Sequence, residues 1–179
     1  MGWFGAPPFS EEVRGPIIDY GPSGAGIGAK MTALSEIYNS RIIDLAAQIP
    51  RAIRLTAPHA TASAHSKLCG STIAVDLRLE AGRVVEFGQL VKACLLGQAA
   101  ASVMGREIVG STPEELRSVG TAMRRMLKEG GEPPTGRWAD LAVLQPVKDH
   151  KARHTSTLLV FEAVERALAE IESHATATA

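Results

Sequence analysis

Apolar and polar residues alternate across TIAVDLRLE, residues 72–80. Ile73, Val75, Leu77 and Leu79 fall on one side, and Ala74, Asp76, Arg78 and Glu80 on the other. A period of two is that of a half-buried strand. Ala81-Gly82-Arg83 supplies a turn and VVEFGQLV resumes as a second strand. A third strand is expected around residues 63–68. Together they predict a small antiparallel meander with one wet face.

On either side the period changes to that of a helix. ALSEIYNSRIIDLAAQ, residues 33–48, brings Leu34, Ile37, Ile42, Leu45 and Ala46 near one face, and Pro50 closes it. LLGQAAASVMG is small and apolar and predicts a buried helix to about Gly105. Thr112, Pro113 and Glu115 form a capping box ahead of the next helix, with proline where its missing N–H is harmless; Gly130-Gly131 stops that helix. RWADLAVL predicts a short helix ending before Pro146. STLLVFEAVERALAEIE, from about Ser156, predicts an amphipathic closing helix. Residues 1–30, rich in Gly and Pro and without period, are expected to be a disordered extension, with the patterned domain spanning 31–172 and a frayed tail at 173–179. The order helix, sheet, helices predicts one α+β domain, a three-stranded antiparallel sheet packed against helices.

Composition narrows the function. The 179 residues carry 19 Lys and Arg against 19 Asp and Glu, so no basic field invites nucleic acid or an anionic membrane. No apolar run is long enough for membrane insertion and no signal-peptide pattern follows Met1, so a cytoplasmic protein is expected. Two cysteines, Cys69 and Cys94, do not make a disulfide framework. They are buried thiols, metal ligands or reactive thiolates. Cys69 is followed by Gly70, which permits a sharp turn at a strand end. Cys94 precedes a helix and lies near Lys92, so its sulfur is expected at the positive end of the helix dipole. If the strands flanking residues 80–83 pair normally, both cysteines fall at the same end of the sheet. Buried free cysteine is common, and two ligands alone do not complete a metal site.

Four segments stand out: Tyr38-Asn39 with Ile42-Ile43, Leu68-Cys69-Gly70-Ser71, Val91 to Ala99 around Cys94, and Leu144-Gln145-Pro146-Val147-Lys148. Together they resemble the U-type iron–sulfur cluster assembly scaffolds, the IscU/SufU/NifU N-terminal family. The resemblance spans about Leu34 to Leu168 and implies the SufE/NifU-like α+β fold already read from the pattern. It also implies a scaffold or carrier, not an enzyme, with a cysteine desulfurase and an Hsp70-type chaperone as protein partners. Where the family has three cysteines and an aspartate, this chain has two cysteines, and Ser71 stands at the aspartate. The third-cysteine position falls on Lys151 in one register, with His150 as the family histidine. In the other, preferred because helix packing fixes that end, it falls on Thr155 with His154 as the histidine. Neither side chain accepts sulfur. The resemblance thus implies Cys69, Cys94 and His154 as ligands of an iron–sulfur cluster or zinc, with His65, Ser71 or His150 as further donors. The alternative is a non-catalytic subunit or regulator of a larger assembly, its metal site vestigial.

Overall fold

Residues 39–177, Leu68 excepted, are described by the computed structural model. In chain order come α1 (Ser40–Ala47), β1 (Ala60–His65), β2 (Thr72–Glu80), β3 (Arg83–Lys92), α2 (Leu95–Glu107), α3 (Pro113–Glu129), a run of 3-10 turns (Gly136–Asp149) and α4 (Lys151–Ala177). The strands lie in the order β1–β2–β3, each antiparallel to its neighbour. This is the α+β architecture the pattern predicts. The extension at 1–30 lies outside the described residues.

Pairing decides which side chains meet the helices. Ile73, Val75 and Leu77 lie opposite Ala64, Ala62 and Ala60 of β1 and opposite Val91, Gln89 and Phe87 of β3. Directly opposed residues share a face, and α4 covers that face over β1 and β2 while α2 packs on β3. On this face β1 presents alanines, so little side chain separates the strand from α4. Arg166 of α4 also donates to the Ser63 carbonyl at 2.7 Å, occupying part of the free edge of β1. α1 packs on α2 through Ile42, Leu45 and Ala46, with the Ser102 hydroxyl donating to the Gln48 carbonyl at 2.8 Å.

The other face is less wet than its polar pattern implies. Asp76 is fully buried. Residues 51–55 cross over it: Arg54 Nε and Nη2 donate to its two oxygens at 2.6 and 2.8 Å, and the Leu55 N–H and Thr61 hydroxyl donate at 2.9 and 2.6 Å. Gly88, opposite Asp76, makes the crossing possible, because a Cβ there would lie 2.4 Å from the Ile53 carbonyl oxygen.

The helices keep their predicted caps but not all their ends. Thr112 accepts from the Glu115 N–H at 3.2 Å, Pro113 opens α3, and Gly130 closes it at φ 69°. Residues 136–149 are a run of 3-10 turns through Pro146, not a short helix ending before it. Proline lacks the N–H an α-helix would use, and Trp138 pins the run to α3 by donating to Glu115 Oε1 at 2.9 Å. α4 begins at Lys151, about five residues before the expected start, and stays helical through Ala177, where a frayed tail was expected. β1 is centred a few residues earlier than 63–68.

Burial pushes the Asp76 carboxyl up, but hydrogen bonds from Arg54, Thr61 and the Leu55 N–H outweigh it and hold the group below the usual carboxylate range. A carboxyl depressed in the folded state adds stability above its unfolded pKa and loses that contribution as pH falls through the folded value. Asp76→Asn is expected to cost about 2 kcal/mol at neutral pH. In urea unfolding, the gap between variant and parent should narrow as pH is lowered below about 4.

Candidate metal centre

The first residue of β2 locates the site. Thr72 lies opposite His65 on one side and Lys92 on the other. The 66–71 loop and the 93–94 link therefore leave the same end of the sheet, as expected. The first is closed by its own backbone. Ser66 N–H donates to the Ser71 carbonyl and Gly70 N–H to the Ser66 carbonyl, both at 2.9 Å. Gly70 sits at φ 68°, where a side chain is costly. The result is a tight loop with Cys69 exposed. Cys94 is the N-cap residue of α2 and half-buried; its side chain makes no capping bond, so the sulfur is available to the site.

Three buried serines surround the two sulfurs. Cys69 Sγ lies 3.0 Å from Ser71 Oγ and 3.4 Å from Ser66 Oγ. The Cys94 thiol donates to Ser156 Oγ at 3.4 Å. Hydroxyl donation from Ser66 foremost, then from Ser71, brings the Cys69 thiol down to about 7. Desolvation opposes this, while the Ser71 N–H and the Ser156 hydroxyl add to it. Ser156 thus reaches Cys94 from the last helix. It can do so because Gly97 has no side chain: a Cβ there would lie 2.8 Å from the Ser156 carbonyl oxygen and 2.9 Å from Ala93 Cβ.

The sheet register brings the loops of Cys69 and Cys94 to one end of the molecule, but His154 faces elsewhere. His154 is buried in the first turn of α4, and its Nε2 faces the carbonyls of Val147 and Lys148 at 3.1 and 3.0 Å. Carbonyls only accept, so Nε2 carries a proton and donates to both. Among the described residues no three His, Cys, Asp or Glu side chains form a group that could hold a metal. The expected set of Cys69, Cys94 and His154 is therefore not assembled. Because α4 starts early, His154 ties that helix to the end of the 3-10 run. Ser71 is beside Cys69, as its position next to Gly70 implies. His65 lies on β1, exposed, 3.4 Å from Thr72 Oγ1, and His150 caps the 3-10 run. Lys151 and Thr155 are exposed, and Thr155 opens on a groove shared with Arg124 and Lys128.

Ser66 and Ser156 are the contacts the sequence reading passes over. Ser66 follows the last strand residue by one, and its spacing of three from Cys69 is that of a closed turn. Ser156 was counted only as the start of the last helix.

No family model matches the chain. The iron–sulfur cluster assembly scaffold protein IscU of Thermotoga maritima is 27% identical to it over 103 residues, 58% of this chain and 72% of that protein. The crystal structure of the N-terminal part of a nitrogen-fixing NifU-like protein from Brucella abortus matches at a TM-score of 0.78 and 50% identity, over 79% of this chain and 98% of that one. The chain belongs to the NifU-like family. This NifU-like chain also shares its fold with a Fervidobacterium islandicum protein assigned to the SUF system as a cluster assembly scaffold. That match has a TM-score of 0.69 at 21% identity, over 75% of this chain and 98% of the other.

Two predictions follow from the site of this NifU-like protein. Alkylation of Cys69 by iodoacetamide, followed by peptide mass spectrometry, should rise with a midpoint near pH 7; Ser66→Ala and Ser71→Ala should each move that midpoint upward. Gly97→Ala should force α4 away from α2, costing about 1–3 kcal/mol in urea unfolding despite the better helix former, and should speed alkylation of Cys94.

Proposed function

We propose that this protein is an iron–sulfur cluster assembly scaffold that holds its cargo through Cys69 and Cys94. One observation carries the reading: two cysteines 25 positions apart, on separate loops, leave the same end of the sheet among buried serine hydroxyls. A thiolate is the form that binds iron, and a thiol near 7 is about half ionised at neutral pH. The Thermotoga and Fervidobacterium proteins named above carry the same role in their names. The cluster is cargo and the protein acts by holding and presenting it, so its chemistry is ligand exchange and not turnover.

Donor arithmetic shapes the proposal. A [2Fe–2S] cluster takes about four donors. Cys69 and Cys94 supply two, and the hydroxyls around them are hard, weak donors. His154 holds Val147 and Lys148 through Nε2, so only its Nδ1 is left to offer a metal. Zinc is a cargo of the same ligand class and serves as a probe of the site.

The sulfur donor in this reading is a cysteine desulfurase approaching the exposed Cys69 loop. An Hsp70-type chaperone reading Leu144 to Lys148 meets a segment whose Leu144 and Val147 are buried, so it must first draw that segment away from the core. No described helix is long and apolar enough to cross a membrane. Two free thiols suit a reducing compartment such as the cytoplasm. The second reading, a non-catalytic subunit with a vestigial site, is favoured by the missing three-residue metal group among the described residues.

Anaerobic reconstitution with ferrous iron and sulfide separates the two. The scaffold reading expects stoichiometric cluster absorbance, lost in Cys69→Ser and in Cys94→Ser while circular dichroism shows both still folded. A folded parent protein that takes up no iron sinks it and leaves the subunit reading.

A further inference from the structure

We infer that the cysteine end of the molecule is a cationic docking face for an acidic protein surface, built from Lys67, Lys92, Lys148, Lys151 and Arg153. The inference names the charge of the partner, and it rests on the scaffold reading only for what that partner exchanges at Cys69.

The register and the helix crossing gather these side chains. Lys67 belongs to the 66–71 loop and Lys92 ends β3 opposite Thr72, so both stand at the end of the sheet where Cys69 emerges. The start of α4 comes to the same end, because Ser156 Oγ lies 3.4 Å from Cys94 Sγ. Lys151 and Arg153 lie in the first turn of α4, and the Lys148 carbonyl is held to that turn by His154 Nε2 at 3.0 Å. All five residues are exposed.

Their lack of partners sets them apart. Elsewhere arginines bond within the fold: Arg54 to Asp76, Arg106 to Asp140, Arg124 to Glu165 and Arg166 to Glu162. Arg51 and Arg83, without a carboxylate, donate to the carbonyls of Gly105 and Gly110. None of the five side chains at the cysteine end bonds to a described residue. Segments 65–72, 92–95 and 147–156 carry a single acidic residue, Asp149. Five cations against one anion thus stand in a neutral chain, leaving 14 cations and 18 anions to the rest of it. Unpaired like charges repel one another, so folding stability does not account for the cluster. What the cluster produces is a positive potential over the Cys69 loop, which attracts and orients an anionic surface.

The residue types favour protein as the occupant. Four of the five are lysines, point charges on flexible stems that suit scattered carboxylates, not the arginine forks that grip phosphate. Phe87, Trp138 and Phe161 are buried, so among the described residues no ring is offered to a stacked base. The exposed large apolar residues, Ile43, Ile53, Val85 and Leu90, lie outside these segments, which leaves them without an apolar wedge for a membrane.

The test uses the full chain, reduced and without metal, and reads Cys69 by peptide mass spectrometry. Its reaction with a dianionic aromatic disulfide is compared with that of a neutral dipyridyl disulfide, a ratio in which the ionised fraction of the thiol cancels. That ratio should be at least about tenfold higher at about 10 mM salt than at about 0.5 M. Lys67→Gln with Lys92→Gln, and separately Lys148→Gln with Lys151→Gln and Arg153→Gln, should each lower the low-salt ratio by about threefold. Arg83→Gln, at the opposite end of the sheet, should leave it unchanged. An oligoglutamate peptide should shield Cys69 from the neutral reagent at low salt and lose that effect in both variants. A ratio indifferent to salt or to both variants overturns the inference. So does shielding by duplex DNA or by phosphatidylglycerol vesicles where the peptide gives none. No iron enters the measurement, so failed cluster reconstitution beside a salt-dependent ratio sinks the scaffold reading and leaves the docking face standing.

Discussion

The antiparallel pairing of β2 with both of its neighbours is the constraint on which the site depends. With Thr72 opposite His65 and Lys92, the chain has no choice but to bring residues 66–71 and 93–94 out together. A one-residue slip on either side would turn Ile73, Val75 and Leu77 away from α4 and α2. The apolar face therefore fixes the register, and the register fixes which two loops emerge together. The site is a by-product of core burial, and its accuracy is that of the core.

What the sheet begins, the helices finish. The alanines of β1 admit α4 close to the strands, and Gly97 admits it close to α2. Both are omissions of side chain, and both act on the same helix. His154 then fastens the start of α4 to the carbonyls of Val147 and Lys148, so the helix that carries Ser156 is held at its first turn as well as along its length.

Much of this was legible in the residues. The alternation in TIAVDLRLE gave β2 and its faces, and from the faces came the common end for Cys69 and Cys94. Thr112-Pro113 gave the start of α3. The wet face was misread because the burial of Asp76 depends on Arg54, 22 positions away, and no local pattern announces a segment crossing a sheet. At α4 the structure sets His154 against the carbonyls of Val147 and Lys148 for a related reason. The position of a residue on that helix depends on where the helix starts, and the start follows a 3-10 run whose length the hydrophobic period does not encode. A shift of one residue is enough to exchange Thr155 for Ser156.

The loop around Gly70 has one more consequence. Nothing lies within 4 Å of where a Cβ would stand there. Glycine is thus required there for its left-handed backbone and not for want of room. A larger residue would deform the turn that holds Cys69 without meeting any other part of the fold.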